Sequence, residues 1–154
     1  MVDLTKINPY SMVDITEKKA VPRTAEAIGR ITLMKKTIKA IKKGKVKKGD
    51  PLAVAEIACI QAVKRTPDLI PMCHNIPIDV VNTNFEVGDD YVEARCRVSA
   101  TYKTGVEMEA LTGVSAALLT IWDMVKYLEK DECGQYPSTT ISDIKVIEKR
   151  KGQS

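Results

Sequence analysis

The stretch Tyr91-Val92-Glu93-Ala94-Arg95-Cys96-Arg97-Val98-Ser99-Ala100-Thr101-Tyr102 decides the fold. Val92, Ala94, Cys96, Val98, Ala100 and Tyr102 keep strict period two, while Glu93, Arg95, Arg97 and Ser99 take the alternate positions. Such alternation is a strand with one buried and one wet face. Upstream, residues 78–87 read as a second strand, and Gly88-Asp89-Asp90 supplies the turn of a hairpin. Downstream, Leu111, Val114, Leu118, Ile121, Val125 and Leu128 recur at spacings of 3, 4, 3, 4 and 3, the stripe of a long amphipathic helix running to about Lys130. Thr104-Gly105-Val106-Glu107 matches the S/T-x-x-E capping box that would open it.

The first third of the chain has the same grammar. Ala25, Ala27, Gly29, Ile31 and Leu33 alternate with Thr24, Glu26, Arg30 and Thr32, which predicts a half-buried strand from Arg23 to Leu33. A short helix from Met34 to Lys43 follows, ended by Gly44. Asp50 as N-cap and Pro51 in the first turn open another helix, which runs to about Arg65 and is stopped by Thr66-Pro67-Asp68. Leu69-Ile70-Pro71-Met72-Cys73-His74-Asn75-Ile76-Pro77 is a proline-bracketed loop, apolar enough that burial is expected. Met12-Val13-Asp14-Ile15 can form a short strand within an otherwise flexible N-terminal segment, residues 1–20. A last strand, 139–147, ends in a basic tail. Strand, two helices, two strands, helix, strand predicts one α+β domain over residues 21–154. Its expected form is a ferredoxin-like sandwich, a mainly antiparallel sheet with helices packed on one face.

With 154 residues, 44% apolar and 29% charged, the chain has the size and composition of one globular domain. Its net charge of +4 is unevenly placed. Eight lysines and no acid lie between Lys35 and Lys48; setting them aside leaves −4, and removing Lys149, Arg150 and Lys151 as well leaves −7. Two short basic stretches on an acidic body suggest a local anion site. Cys59, Cys73, Cys96 and Cys133 are too sparse for a disulfide scaffold and contain no C-x-x-C pair, so a reducing, cytoplasmic setting is expected. No basic start with an apolar core opens the chain, and no window approaches the roughly 20 apolar residues of a membrane span. The sole histidine, His74, adjoins Cys73, which disfavours a zinc site.

Several polar positions stand out against this pattern. Asp123 and Lys126 are i, i+3 neighbours on the long helix, either a solvated ion pair or, if buried, a proton-transferring couple. Glu107 and Glu109 stand at the start of that helix, where the dipole favours carboxylates; the capping box accounts for Glu107 but not for Glu109. The 14 positions from Glu109 to Asp123 span about 21 Å of helix, too far for one small ligand. If both ends act together, a two-fold dimer brings one subunit's helix start to the other's helix end. Lys48 precedes a helix N-terminus, a combination suited to phosphate, although most lysines are simply solvated. His74 is either a hydrogen-bonded core histidine or a ligand-orienting one. Thr112, Gly113, Ser115, Ala116, Ala117 and Thr120 form a small-residue face, for a subunit contact or for close packing within the chain.

Leu69-Ile70-Pro71-Met72-Cys73-His74, Lys103-Thr104-Gly105-Val106-Glu107-Met108-Glu109-Ala110-Leu111-Thr112 and Leu119-Thr120-Ile121-Trp122-Asp123-Met124-Val125-Lys126 closely resemble the MoaC family, the cyclic pyranopterin monophosphate synthases of molybdenum cofactor biosynthesis. Met12-Val13-Asp14, Arg23, Lys48-Gly49-Asp50 and Ile60-Gln61-Ala62-Val63-Lys64-Arg65-Thr66 fit in the same order, so the resemblance covers about residues 10–130. It implies a catalytic domain with lyase activity. The reaction converts 3',8-cyclo-7,8-dihydro-GTP into cyclic pyranopterin monophosphate with release of diphosphate. It also implies a homohexamer, a trimer of dimers with intersubunit sites. By position, Met72, Cys73, His74, Met108 and Glu109 contact substrate, Glu107 and Arg23 complete the pocket, Asp123 is the general acid-base group, and Lys48 and Lys126 are essential lysines. On this reading Lys48, Arg23 and the adjacent helix N-terminus hold the triphosphate.

The tail departs from the family's glycine-rich K-S-G-G-K-S-G-like ending, leaving Lys149 as the best match for a further essential lysine and Lys151 as the alternative. No cofactor is implied; magnesium is conceivable because diphosphate leaves, but no dedicated carboxylate cluster is visible. Two other classes stay open. A nucleic-acid module could use the lysine-rich helix, but with Phe85 and Trp122 as single examples of their kind it lacks a stacking platform. A noncatalytic homologue would follow if the altered tail disabled the site. The resemblance itself implies neither nucleic-acid nor membrane partners.

Overall fold

The computed structural model describes residues 10–152. Its elements are β1 (Val21–Thr32), α1 (Lys35–Lys42), α2 (Pro51–Lys64), α3 (Thr66–Leu69), β2 (Val80–Val87), β3 (Tyr91–Tyr102), α4 (Glu107–Glu129) and β4 (Thr140–Lys151). The sheet order is β2-β3-β1-β4, antiparallel at every pair. This is the split βαβ arrangement of a ferredoxin-like α+β fold. The alternation dictated it: Ala25, Ala27, Ile31, Val92, Ala94, Cys96 and Val98 are buried on one face, and Val114, Leu118, Ile121 and Val125 of α4 lie against them. Leu111 and Leu128, at the ends of the stripe, are only partly covered.

Two glycines let α4 come close. A Cβ on Gly29 would meet Val114 Cγ1 at 2.7 Å, and one on Gly113 would meet Val63 Cγ2 at 2.8 Å and Cys59 Sγ at 2.9 Å. Part of the small-residue face therefore serves packing of α4 on α2 and β3. All four cysteines are free thiols. By length and composition α4 is apolar enough to cross a membrane, contrary to the expectation that no such window exists. Half of that window is buried inside the domain, as befits a core helix.

Several boundaries differ from expectation, each for a local reason. Residues 1–9 of the expected flexible segment lie outside the described residues. Met12–Ile15 form no strand; Asp14 Oδ1 accepts from Thr16 N at 2.9 Å and turns the chain locally. α2 stops at Lys64 with Arg65 as its C-cap, as expected, but Thr66 then begins an extra turn, α3, its hydroxyl donating to Ala62 O and Val63 O. The apolar loop after it is only partly buried: Leu69, Ile70 and Met72 are exposed, whereas Cys73, His74 and Ile76 are half-buried and Ile76 packs against the core. The capping box does not form. Val106 is the N-cap of α4 and no side chain caps it, since the helix starts at Glu107 itself and leaves Glu107 at N1, not N3. β4 extends through the basic tail, pairing Lys149 with Ala25 and Lys151 with Arg23.

Candidate functional site

Helix α4 carries polar clusters at both ends. At its start, β4 sets Lys149 on the helix side of the sheet, where its Nζ lies 2.6 Å from Glu107 Oε1. Burial pushes the Glu107 carboxyl up, but the Lys149 ammonium, the helix-start amide and Arg23 outweigh it and hold the group below its ordinary value. This ion pair, not a capping box, accounts for Glu107, and it singles out Lys149 of the two tail lysines. Arg23 reaches Lys103 O at 3.4 Å through Nη2, while its buried Nε has no partner among the described residues.

Glu107 also lines a cleft of about 570 Å³, together with Val13, Met72, Cys73, His74, Met108 and Glu109. His74 and Val13 are joined by a 2.8 Å hydrogen bond. A carbonyl only accepts, so Nε2–H donates to Val13 O and Nδ1 is left for a ligand. Glu109 is 2% exposed. Burial pushes its carboxyl up, partly offset by its own backbone amide, and the neighbouring Glu107 pushes it further. Burial and Glu109 likewise raise the Cys73 thiol. A largely apolar cleft rimmed by two methionines, with a protonation-prone carboxyl in its wall, has the make-up of a small-molecule pocket.

At the other end of α4, Asp123 Oδ1 lies 3.0 Å from Lys126 Nζ, the i, i+3 pair expected from sequence. Lys48 Nζ donates to Asp123 O at 3.0 Å and approaches Oδ2 at 3.5 Å. The hydrogen bond and charge of Lys126, with the charge of Lys48, hold Asp123 below its ordinary value, and Asp123 in turn raises Lys126. All three side chains face solvent in the single chain, so of the two readings offered for Asp123 and Lys126 the isolated subunit shows the solvated ion pair, here with Lys48 as a second ammonium beside the same carboxylate.

This arrangement corrects one expectation. Lys48 does not act with the N-terminus of α2, because Asp50 Oδ1 already accepts from Leu52 N at 3.0 Å and Ala53 N at 3.4 Å. Nor does Lys48 meet Arg23, which sits with Glu107 at the opposite end of α4. The expected residues therefore fall into two clusters: Arg23, Met72, Cys73, His74, Glu107, Met108, Glu109 and Lys149 near the helix start, and Lys48, Asp123 and Lys126 near its end. They are about 21 Å apart along the helix. Among the described residues, no three His, Cys, Asp or Glu side chains gather as a metal site.

The family model described as "MoaC family" matches residues 12–152. The chain belongs to the MoaC family. A probable cyclic pyranopterin monophosphate synthase of Thermococcus kodakarensis is 61% identical over 155 residues, 99% of each chain. One from Pyrococcus abyssi is 62% identical over 143 residues, 93% of this chain and 90% of its own. One from Methanoregula boonei is 57% identical over 155 residues, 99% of this chain and 100% of its own. The match runs through β4, so the basic tail of this MoaC-family protein lies inside the aligned region.

Sequence reasoning missed three contributors. Val13 supplies the carbonyl that orients His74. Tyr127 Oη accepts from Lys47 N at 2.8 Å and so fixes the turn before Lys48. Glu129, fully buried, accepts from Met34 N, Thr37 Oγ1 and Thr139 Oγ1 and ties α1 and the start of β4 to the end of α4. A carboxylate in the last turn of a helix opposes the dipole, and that anomaly was its only signal in the sequence.

Proposed function

We propose that this protein is a cyclic pyranopterin monophosphate synthase. It converts 3',8-cyclo-7,8-dihydro-GTP to cyclic pyranopterin monophosphate with release of diphosphate, a lyase reaction in cytoplasmic molybdenum cofactor biosynthesis. The observation that carries the reading is end-to-end similarity at 61% identity to a relative bearing that name. In this reading Asp123 and Lys126 move protons during purine ring opening and pterin closure, and Lys48 stabilises charge on the departing diphosphate. Met72, Cys73, His74, Met108 and Glu109 hold the base and sugar, while Arg23, Lys149 and Glu107 set the charge of the pocket wall.

The two clusters are too far apart to share one substrate within a chain, so the working unit is an assembly in which one subunit's α4 start faces another's α4 end. A homohexamer built as a trimer of dimers satisfies this. The exposed apolar rim of Leu69, Ile70, Met72 and Met108 supports a partner chain there. The reading requires no resident cofactor and no nucleic-acid or membrane partner. Its test is to give the purified protein the cyclised GTP-derived triphosphate and to follow diphosphate release beside its mass in solution. Release by an oligomer is expected. A monomer that releases nothing overturns both the activity and the shared site.

A further inference from the structure

The eight lysines between Lys35 and Lys48 are more than the proposed chemistry uses, since only Lys48 enters it. The segment is strapped to the last turns of α4 at both ends. At one end Met34 N and Thr37 Oγ1 donate to Glu129; at the other Lys47 N donates to Tyr127 Oη and Lys48 Nζ to Asp123. Gly44 at φ +66° and Gly49 at φ +110° permit the tight return. Ile38 and Val46 anchor the loop inward, while Lys39, Lys42, Lys43, Lys45 and Lys47 all point to solvent.

These cations are not neutralised. Asp131 and Glu132 lie beside Lys36 at the start of α1. At the other end, Lys39, Lys42, Lys43 and Lys45 make no ion pair with any described residue, and Lys47 Nζ rests 5.2 Å from the Tyr127 ring. Lys42, Lys43, Lys45 and Lys47 precede Lys48, whose Nζ contacts Asp123, by six residues or fewer, and at about 3.6 Å of reach per residue that keeps them within about two screening lengths of the cluster at ordinary salt. Uncompensated charge held rigidly at that range enriches a polyanion next to the site.

We propose that Lys39, Lys42, Lys43, Lys45 and Lys47 form a guiding face that draws a polyphosphate anion onto the Lys48, Asp123 and Lys126 cluster, which rests on the function proposed above in taking that anion to be the substrate's triphosphate. The face acts at a distance and leaves the reacting atoms alone, so it lowers KM and leaves kcat unchanged.

The test uses the full chain with Lys39→Gln, Lys42→Gln and Lys43→Gln combined, and the corresponding triple arginine variant as control. Binding of inorganic tripolyphosphate is measured by calorimetry, and turnover with the cyclised triphosphate, at about 30 mM and about 500 mM salt. The glutamine variant should bind tripolyphosphate about tenfold more weakly at low salt and raise KM by the same factor with kcat held. The difference should shrink to under about twofold at high salt, and the arginine variant should match wild type. Equal affinities at low salt, a loss that persists at high salt, or a fall in kcat would each overturn the guiding role. Single-stranded RNA bound more tightly than tripolyphosphate at the same salt would overturn the small-anion assignment. Salt-dependent loss of tripolyphosphate binding in a protein that never turns over the substrate would sustain the face and sink the proposed activity; normal turnover without that loss would do the reverse.

Discussion

Replacing Glu129 with alanine removes one acceptor group from three donors in the interior. Glu129 and Thr37 are fully buried and Thr139 is 6% exposed, so water cannot substitute cheaply. Each stranded donor, Met34 N–H and the two hydroxyls, costs about 1–3 kcal/mol, less the relief of no longer burying a carboxyl group. The net expectation is about 3–5 kcal/mol, or roughly 10 °C in Tm for a domain of this size. Urea unfolding at neutral pH supplies the number, and native-state amide exchange supplies the location: protection should fall first in α1, whose start Glu129 holds. A second variant separates this account from simple loss of packing. Glu129→Leu combined with Thr37→Val and Thr139→Val leaves only Met34 N–H stranded and should recover at least about half of the loss. A cost below about 1 kcal/mol for Glu129→Ala, or a combined variant weaker than the single one, would refute the reasoning.

Gly113→Ala should cost about 1–3 kcal/mol in urea unfolding, because the new Cβ meets Val63, Cys59 and Cys96 at 2.8–3.1 Å. Glu109→Gln should stabilise the fold at pH 7. The Glu109 carboxyl has a raised folded pKa, so its protonated form is favoured below the ordinary value of 4.5 and that benefit is lost as pH rises through the folded value. Thermal denaturation across pH 4 to 8 should therefore show the gain at the neutral end and little at the acid end. Asp123→Asn removes the partner that raises Lys126, so residual turnover should lose its alkaline limb at lower pH than in wild type; an unchanged limb would detach Lys126 from the reaction.

The sheet and its packing were legible because alternation at 25–33 and 92–100 and the stripe on α4 are the packing itself, repeated often enough to outweigh local noise. Ends were less legible where a side chain had two available partners. Thr104 and Glu107 fit a capping box in sequence, but Lys149 of β4, more than forty residues away, took the Glu107 carboxylate instead. The Asp50 cap was visible, yet its consequence for Lys48, that the helix N-terminus is already filled, depends on both amides meeting the same carboxylate in the folded chain. The exposure of Leu69, Ile70 and Met72 was misread for a related reason: apolarity tells that a segment seeks cover, not which chain supplies it. Asp123 with Lys126 came through intact, because i, i+3 spacing on a helix is local.

The central claim is that neither end of α4 is a complete site without another chain. His74→Ala disables the half at the helix start and Asp123→Asn the half at its end. Diphosphate release should be measured for each variant alone and for the two dissociated and reassembled together. If sites are shared across a two-fold, half of a random mixture pairs unlike chains and each such pair has one intact site in two, so activity should return to about a quarter of wild type. Mixed assemblies, verified by mass, that release no more diphosphate than their inactive parents would contradict the account.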